Sequence, residues 1–90
     1  MISSATTVTI RGVVAEGADG TLVARLAHVS GRRVPEGPML LAETDGEPVA
    51  AIGIFDRHAI ADPASSTAAI RLRLHLLRMQ LRLIIALRGV

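Results

Sequence analysis

Residues 39–55 constrain the fold more than any other stretch of the chain. Met39-Leu40-Leu41-Ala42-Glu43 leads into Thr44-Asp45-Gly46-Glu47, then Val49-Ala50-Ala51-Ile52-Gly53-Ile54-Phe55. An Asp-Gly pair between two apolar runs is a strong hairpin signal, because both residues tolerate the positive φ of a type I′ turn. Pro48 belongs at the strand start, where a missing N–H does least harm. Asp56-Arg57 reads as a second tight turn. His58-Ala59-Ile60-Ala61 reads as a short third strand, ended by Asp62-Pro63.

Upstream, residues 7–14 are rich in β-branched side chains and predict a strand, with Gly12 marking a bulge. Glu16-Gly17-Ala18-Asp19-Gly20 breaks that pattern. Asp19 is placed to cap a helix over 20–29, with Leu22, Leu26 and Val29 as its apolar stripe. Gly31 fits the helix stop, and 32–38 is a loop holding Pro35, Gly37 and Pro38.

Residues 67–88 contain neither Gly nor Pro and consist mainly of Ala, Leu and Arg, which favour helix. Ser65, Ser66 or Thr67 is placed to cap its start, and Gly89 to mark its end. Arg71-Leu72-Arg73-Leu74-His75-Leu76 alternates, but the alternation stops at Leu76-Leu77 and the run is too long for one strand. The expected architecture is one α+β domain spanning 1–90. It has a small, mostly antiparallel sheet in the order strand, helix, three-stranded meander, helix, with the last helix long.

At 100° per residue, three groups separate on that helix. Ile70, Leu74, Leu77, Leu81, Ile84 and Ile85 form one apolar face. Leu72, Leu76, Met79, Leu83 and Leu87 form a second. Arg71, His75, Arg78 and Arg82 form a basic stripe. A helix apolar on two sides needs two apolar partners; the sheet supplies one. The other is expected to be the first helix, a second copy, another protein or a membrane surface.

The chemistry-bearing residues are sparse. There is no cysteine, which excludes disulfides, thiolate metal sites and thiol nucleophiles. Phe55 is the only aromatic residue, so no stacking platform for single-stranded nucleic acid is available. His28, His58 and His75 fall in different elements, with no i, i+4 pair. No serine lies in a nucleophile elbow, and no glycine pattern forms a phosphate loop. No catalytic, cofactor-binding or metal-ligating residue is assigned, and no cofactor is expected.

Eighteen uncharged apolar residues never occur in a row, so no membrane span is expected. Met1 to Thr7 is polar and lacks a basic region before an apolar one, so no secretory signal is expected and a cytoplasmic location follows by default. All ten basic residues are arginines. The first 62 residues hold five of them against eight acids, net −3; residues 63–90 hold five and no acid, net +5. The two halves are expected to attract each other within the fold.

The order strand, helix, hairpin, third strand, helix resembles the start of the GNAT-type N-acetyltransferase fold. Leu40 to Ile52 is similar to the second and third strands of that family, and Val8-Thr9-Ile10-Arg11 with the following helix is similar to its beginning. The resemblance covers the N-terminal half of that fold. Short uncharacterised bacterial proteins are also similar over roughly residues 20–83. They share Gly37-Pro38-Met39-Leu40-Leu41-Ala42-Glu43, Asp45 to Ala51, Ala61-Asp62-Pro63 and an Arg/Leu-rich helix.

Three functions are therefore expected, in order. The first is a non-catalytic module that self-associates or binds a protein through Leu72, Leu76, Met79, Leu83 and Leu87. The second, implied by the acetyltransferase resemblance, is a degenerate acyltransferase-like protein that binds CoA or another anionic ligand. The third is a basic helix that meets anionic membrane or nucleic acid through Arg71, His75, Arg78 and Arg82. Acids of the first half are expected to compete for those arginines, which makes the third binding weak at physiological salt.

Overall fold

The structure, a computed structural model, describes residues 7–64 and 66–88. The elements in chain order are β1 (Val8–Val14), α1 (Gly20–Ser30), β2 (Pro38–Thr44), β3 (Glu47–Gly53), β4 (Ala59–Ala61) and α2 (Ala68–Arg88). The strands form one antiparallel sheet in the order β1-β2-β3-β4. The fold is α+β with a long C-terminal helix, as the patterning predicts.

The hairpin closes where the Asp-Gly pair demands. Asp45 (φ 51°) and Gly46 (φ 84°) both lie in the left-handed region, and Thr44 pairs with Glu47 across them. The register then skips Val49: Glu43 pairs with Pro48 and Ala42 with Ala50. Gly12 shows no such irregularity, since it pairs with Leu40 in an unbroken β1–β2 ladder. The bulge therefore falls next to Pro48, whose missing N–H interrupts the ladder.

The two helices lie on opposite faces of the sheet. Val23, Leu26 and Ala27 of α1 pack with Val13, Met39, Leu41, Ala51 and Ile60. Ile70 and Leu74 of α2 pack with Leu40, Ala42, Val49, Ala50, Ile52 and Ile54. Strands covered on both sides need apolar residues at every position. That explains the unbroken runs 39–42 and 48–54, all of them buried.

The buried face of α1 differs from the expected stripe. Val29 is half exposed, and Val23 and Ala27 are buried in its place. The face is rotated by roughly a quarter turn, which sets the small Ala27 against the sheet. Asp19 does not cap α1 with its side chain. Its Oδ1 accepts instead from Arg11 Nη2 at 2.7 Å, while Arg11 Nε donates to Glu43 Oε1 at 2.8 Å. Here both partners are charged, whereas in a cap bond only the carboxylate is, and Arg11 ties β1, β2 and the α1 approach together. At the other end of α1, Gly31 (φ 72°) provides the expected left-handed stop, its N–H donating to the His28 carbonyl.

Asp56 fastens the loop between β3 and β4 to the loop after α1. Its carboxylate accepts from Arg33 Nη1 (2.9 Å), Glu36 N (2.9 Å) and His58 N (3.0 Å). The Arg33 bond first, then the two backbone bonds, hold this carboxyl well below the usual 3.8. Asp19 is lowered in the same sense by Arg11. A carboxylate with a depressed folded pKa stabilises the fold above its unfolded pKa and loses that contribution as pH falls through the folded value. The thermal midpoint should therefore decline as pH drops below about 4. Asp56→Asn should lower the midpoint at neutral pH and flatten the decline; a melting series across pH 2–7 reads both.

Candidate functional site

Thr67 starts α2: its Oγ1 accepts from Ile70 N–H at 3.2 Å. Ser65 and Gly89, also expected to mark the ends of this helix, lie outside the described residues. A helix of 21 residues is about 30 Å long, and the sheet covers only part of it. Ile70, Leu74 and Arg78 are buried, Leu77 and Leu81 are half-buried, and every residue from Arg82 to Arg88 is exposed. Ile84 and Ile85, expected on the packed face, are exposed because α2 runs past the sheet. The overhang is about two turns.

The second apolar face is free along its whole length. Leu72, Leu76, Met79, Leu83 and Leu87 are 50–70% exposed. They recur at steps of four, three, four and four residues, close to the spacing of a coiled-coil seam. Arg73 and Gln80 flank the seam on one side, His75 and Arg82 on the other. No helix among the described residues is long and apolar enough to cross a membrane.

The basic stripe does not persist as one surface. Arg71 and His75 line a cavity at the sheet edge, Arg82 is exposed, and Arg78 is buried at 9% exposure. Arg78 Nε donates to the Gly53 carbonyl at 2.9 Å, and its Nη2 has no partner among the described residues. Burial, then the charges of Arg82 and Arg57, lower its pKa. Sequence position alone sets Arg78 with its stripe neighbours. It turns inward because the chain reverses after β3 and leaves the Gly53 carbonyl facing α2. Arg78→Met removes that donor and leaves the carbonyl unpaired, at a cost of about 1–3 kcal/mol. A urea titration should show this as an earlier midpoint without loss of helix at low urea.

The ion pairs seen among the described residues do not join the acidic half to α2. The four ion pairs among the described residues are Arg11–Asp19, Arg11–Glu43, Arg25–Glu47 and Arg33–Asp56. All lie within residues 11–56, so Asp19, Glu43, Glu47 and Asp56 are satisfied locally and none of these four pairs reaches α2. Local pairs form because Arg11, Arg25 and Arg33 sit on elements adjacent to those acids, whereas α2 crosses the apolar face.

The cavity has a volume of about 310 Å³ and wraps the edge of β4. Ala50, Ile52, Ala59 and Ala61 form its floor; Arg71, Leu74 and His75 of α2 and Arg32 from beyond α1 form its walls. Of the other histidines, His28 is exposed on α1 and His58 is half-buried just before β4. No cluster of three His, Cys, Asp or Glu residues able to hold a metal ion occurs among the described residues.

Comparison with family models, with curated proteins and with solved structures finds no match.

Proposed function

We propose that the protein is a non-catalytic self-association module, two copies meeting through the free face of α2. The observation that carries this reading is the unbroken seam Leu72, Leu76, Met79, Leu83, Leu87, exposed on a helix whose opposite face already packs on the sheet. Large contiguous apolar surfaces on small domains mark interaction sites. The 3/4 spacing suits a partner helix of the same kind. The overhanging turns add Ile84 and Ile85 to the same free end.

The charge on α2 gives this reading a distinctive signature. Arg73 and Arg82 border the seam and would face their copies across the interface. Like charges oppose association, and salt screens them over about 10 Å at 0.1 M. Self-association should therefore strengthen with salt, whereas binding of these arginines to anionic lipid or nucleic acid would weaken with it.

The chain has no cysteine, so a single introduced thiol reports on one position. Met79→Cys, at the centre of the seam, should form a disulfide-linked dimer under mild oxidation. Glu16→Cys, exposed and remote from α2 in sequence, should stay largely monomeric. Equal cross-linking of the two variants would refute the seam as the contact.

A further inference from the structure

The outer edge of β4 points to a second binding site, independent of the α2 seam. We propose that it takes up an extended acidic segment of another polypeptide as a fifth strand of the sheet.

The backbone sets the geometry. β4 pairs with β3 through Ala50–Ala61, Ala51–Ile60 and Ile52–Ala59. Gly53 N donates to the His58 carbonyl at 3.0 Å and Asp62 N to the Val49 carbonyl at 2.9 Å. In an antiparallel ladder the bonded pairs alternate, so His58, Ile60 and Asp62 turn their backbone groups toward β3. Ala59 and Ala61 turn theirs to the outer edge. Arg32 Nη1 donates to the Ala59 carbonyl at 3.4 Å, which agrees with that parity; a guest N–H replaces this long, exposed bond and releases the guanidinium to a guest carboxylate. An edge of this kind is a template for another strand.

The surroundings select what pairs there. Three of the four floor residues, Ala50, Ala59 and Ala61, are alanine, which leaves room for the side chains of an incoming strand. The lining includes Arg32, Arg71 and His75 and no carboxylate. Strand addition draws affinity from main-chain bonds and specificity from flanking side-chain sites. Here those sites are the guanidiniums of Arg71 and Arg32, with the His75 imidazole beside Arg71 as a hydrogen-bonding group, so carboxylates at alternate positions of the guest strand match them. A second copy of this chain does not supply that guest. Its alternating acids Glu43, Asp45 and Glu47 are held in the hairpin, Glu43 with Arg11 and Glu47 with Arg25.

The test uses a blocked six-residue peptide of alternating valine and glutamate, titrated into isotope-labelled protein. The peptide should shift the Ala59 and Ala61 amide resonances saturably and slow their hydrogen exchange. Arg71→Ala and His75→Ala, both at exposed positions, should each weaken binding roughly two- to fivefold. Methylating alternate peptide nitrogens on the bonding edge removes its donors and should weaken binding roughly tenfold. The proposal is overturned if the peptide causes no saturable shift at millimolar concentration. It is equally overturned if the methylated peptide or free glutarate acts on Ala59 and Ala61 as strongly as the parent, which would make the cleft a small-anion site. Neither outcome bears on the α2 seam, because the seam variants leave this edge unchanged.

Discussion

Leu41→Ala should cost the fold about 3 kcal/mol, while Leu76→Ala should leave the stability of a single copy almost unchanged. Both replace leucine by alanine, and the difference is what surrounds them. Leu41 is fully buried in the middle of β2, against Val23, Leu26 and Ala27 of α1. Truncation there removes transfer energy and opens a cavity that the paired strands on either side cannot close. Leu76 is half exposed on α2, so its truncation removes little that one copy buries. A 90-residue domain has a total stability of about 5–10 kcal/mol, and Leu41→Ala takes a large share of it. Urea unfolding of both variants at low protein concentration measures the contrast. Similar losses would mean that α2 packs differently from the arrangement described above.

Gly53→Ala should be about as damaging, near 3 kcal/mol, through backbone overlap. A Cβ on Gly53 would meet the carbonyl oxygen of Asp56, with the Asp56 carbonyl carbon at 3.0 Å. Backbone atoms held by the Asp56 bonds to Arg33, Glu36 and His58 have no soft direction in which to move. The Gly53 N–H bond to His58 and the Gly53 carbonyl bond from Arg78 both depend on this turn. The substitution should therefore loosen β4 and the middle of α2 together. Amide exchange would show it as lost protection at Ile60 and Leu74, with the β1–β2 ladder retained.

The local signals in the sequence carried over to the fold where one residue type decides the geometry. Asp45-Gly46 needs positive φ, Gly31 stops a helix, and residues 67–88 hold no helix breaker; each element lies where those residues put it. What depends on packing was not legible. The α1 face turned because Ala27 packs on the sheet in place of Val29. Asp19 left its cap for Arg11, a partner eight residues away that only the β1-to-α1 reversal brings close. Arg78 reads as one of a solvated stripe until the Gly53 carbonyl is placed opposite it.

The candidate surfaces divide in the same way. The seam on α2 follows from helical periodicity alone, and all five of its residues are left exposed. The cleft at β4 does not, because it brings Arg32, Arg71 and His75 together from distant parts of the chain. The acidic and basic halves of the sequence suggest mutual attraction, yet ion pairing is decided by adjacency in the fold.

Sedimentation equilibrium on the wild type and on a Leu76→Glu, Leu83→Glu double variant, in about 0.05 M and about 0.5 M NaCl, distinguishes a dimer built on α2 from a solvated α2 face. The wild type should associate reversibly, and more tightly at the higher salt. The double variant should remain monomeric in both, with an unchanged circular dichroism spectrum. A wild type that stays monomeric at high micromolar concentration, or a double variant that associates as well as the wild type, would contradict the dimer built on α2.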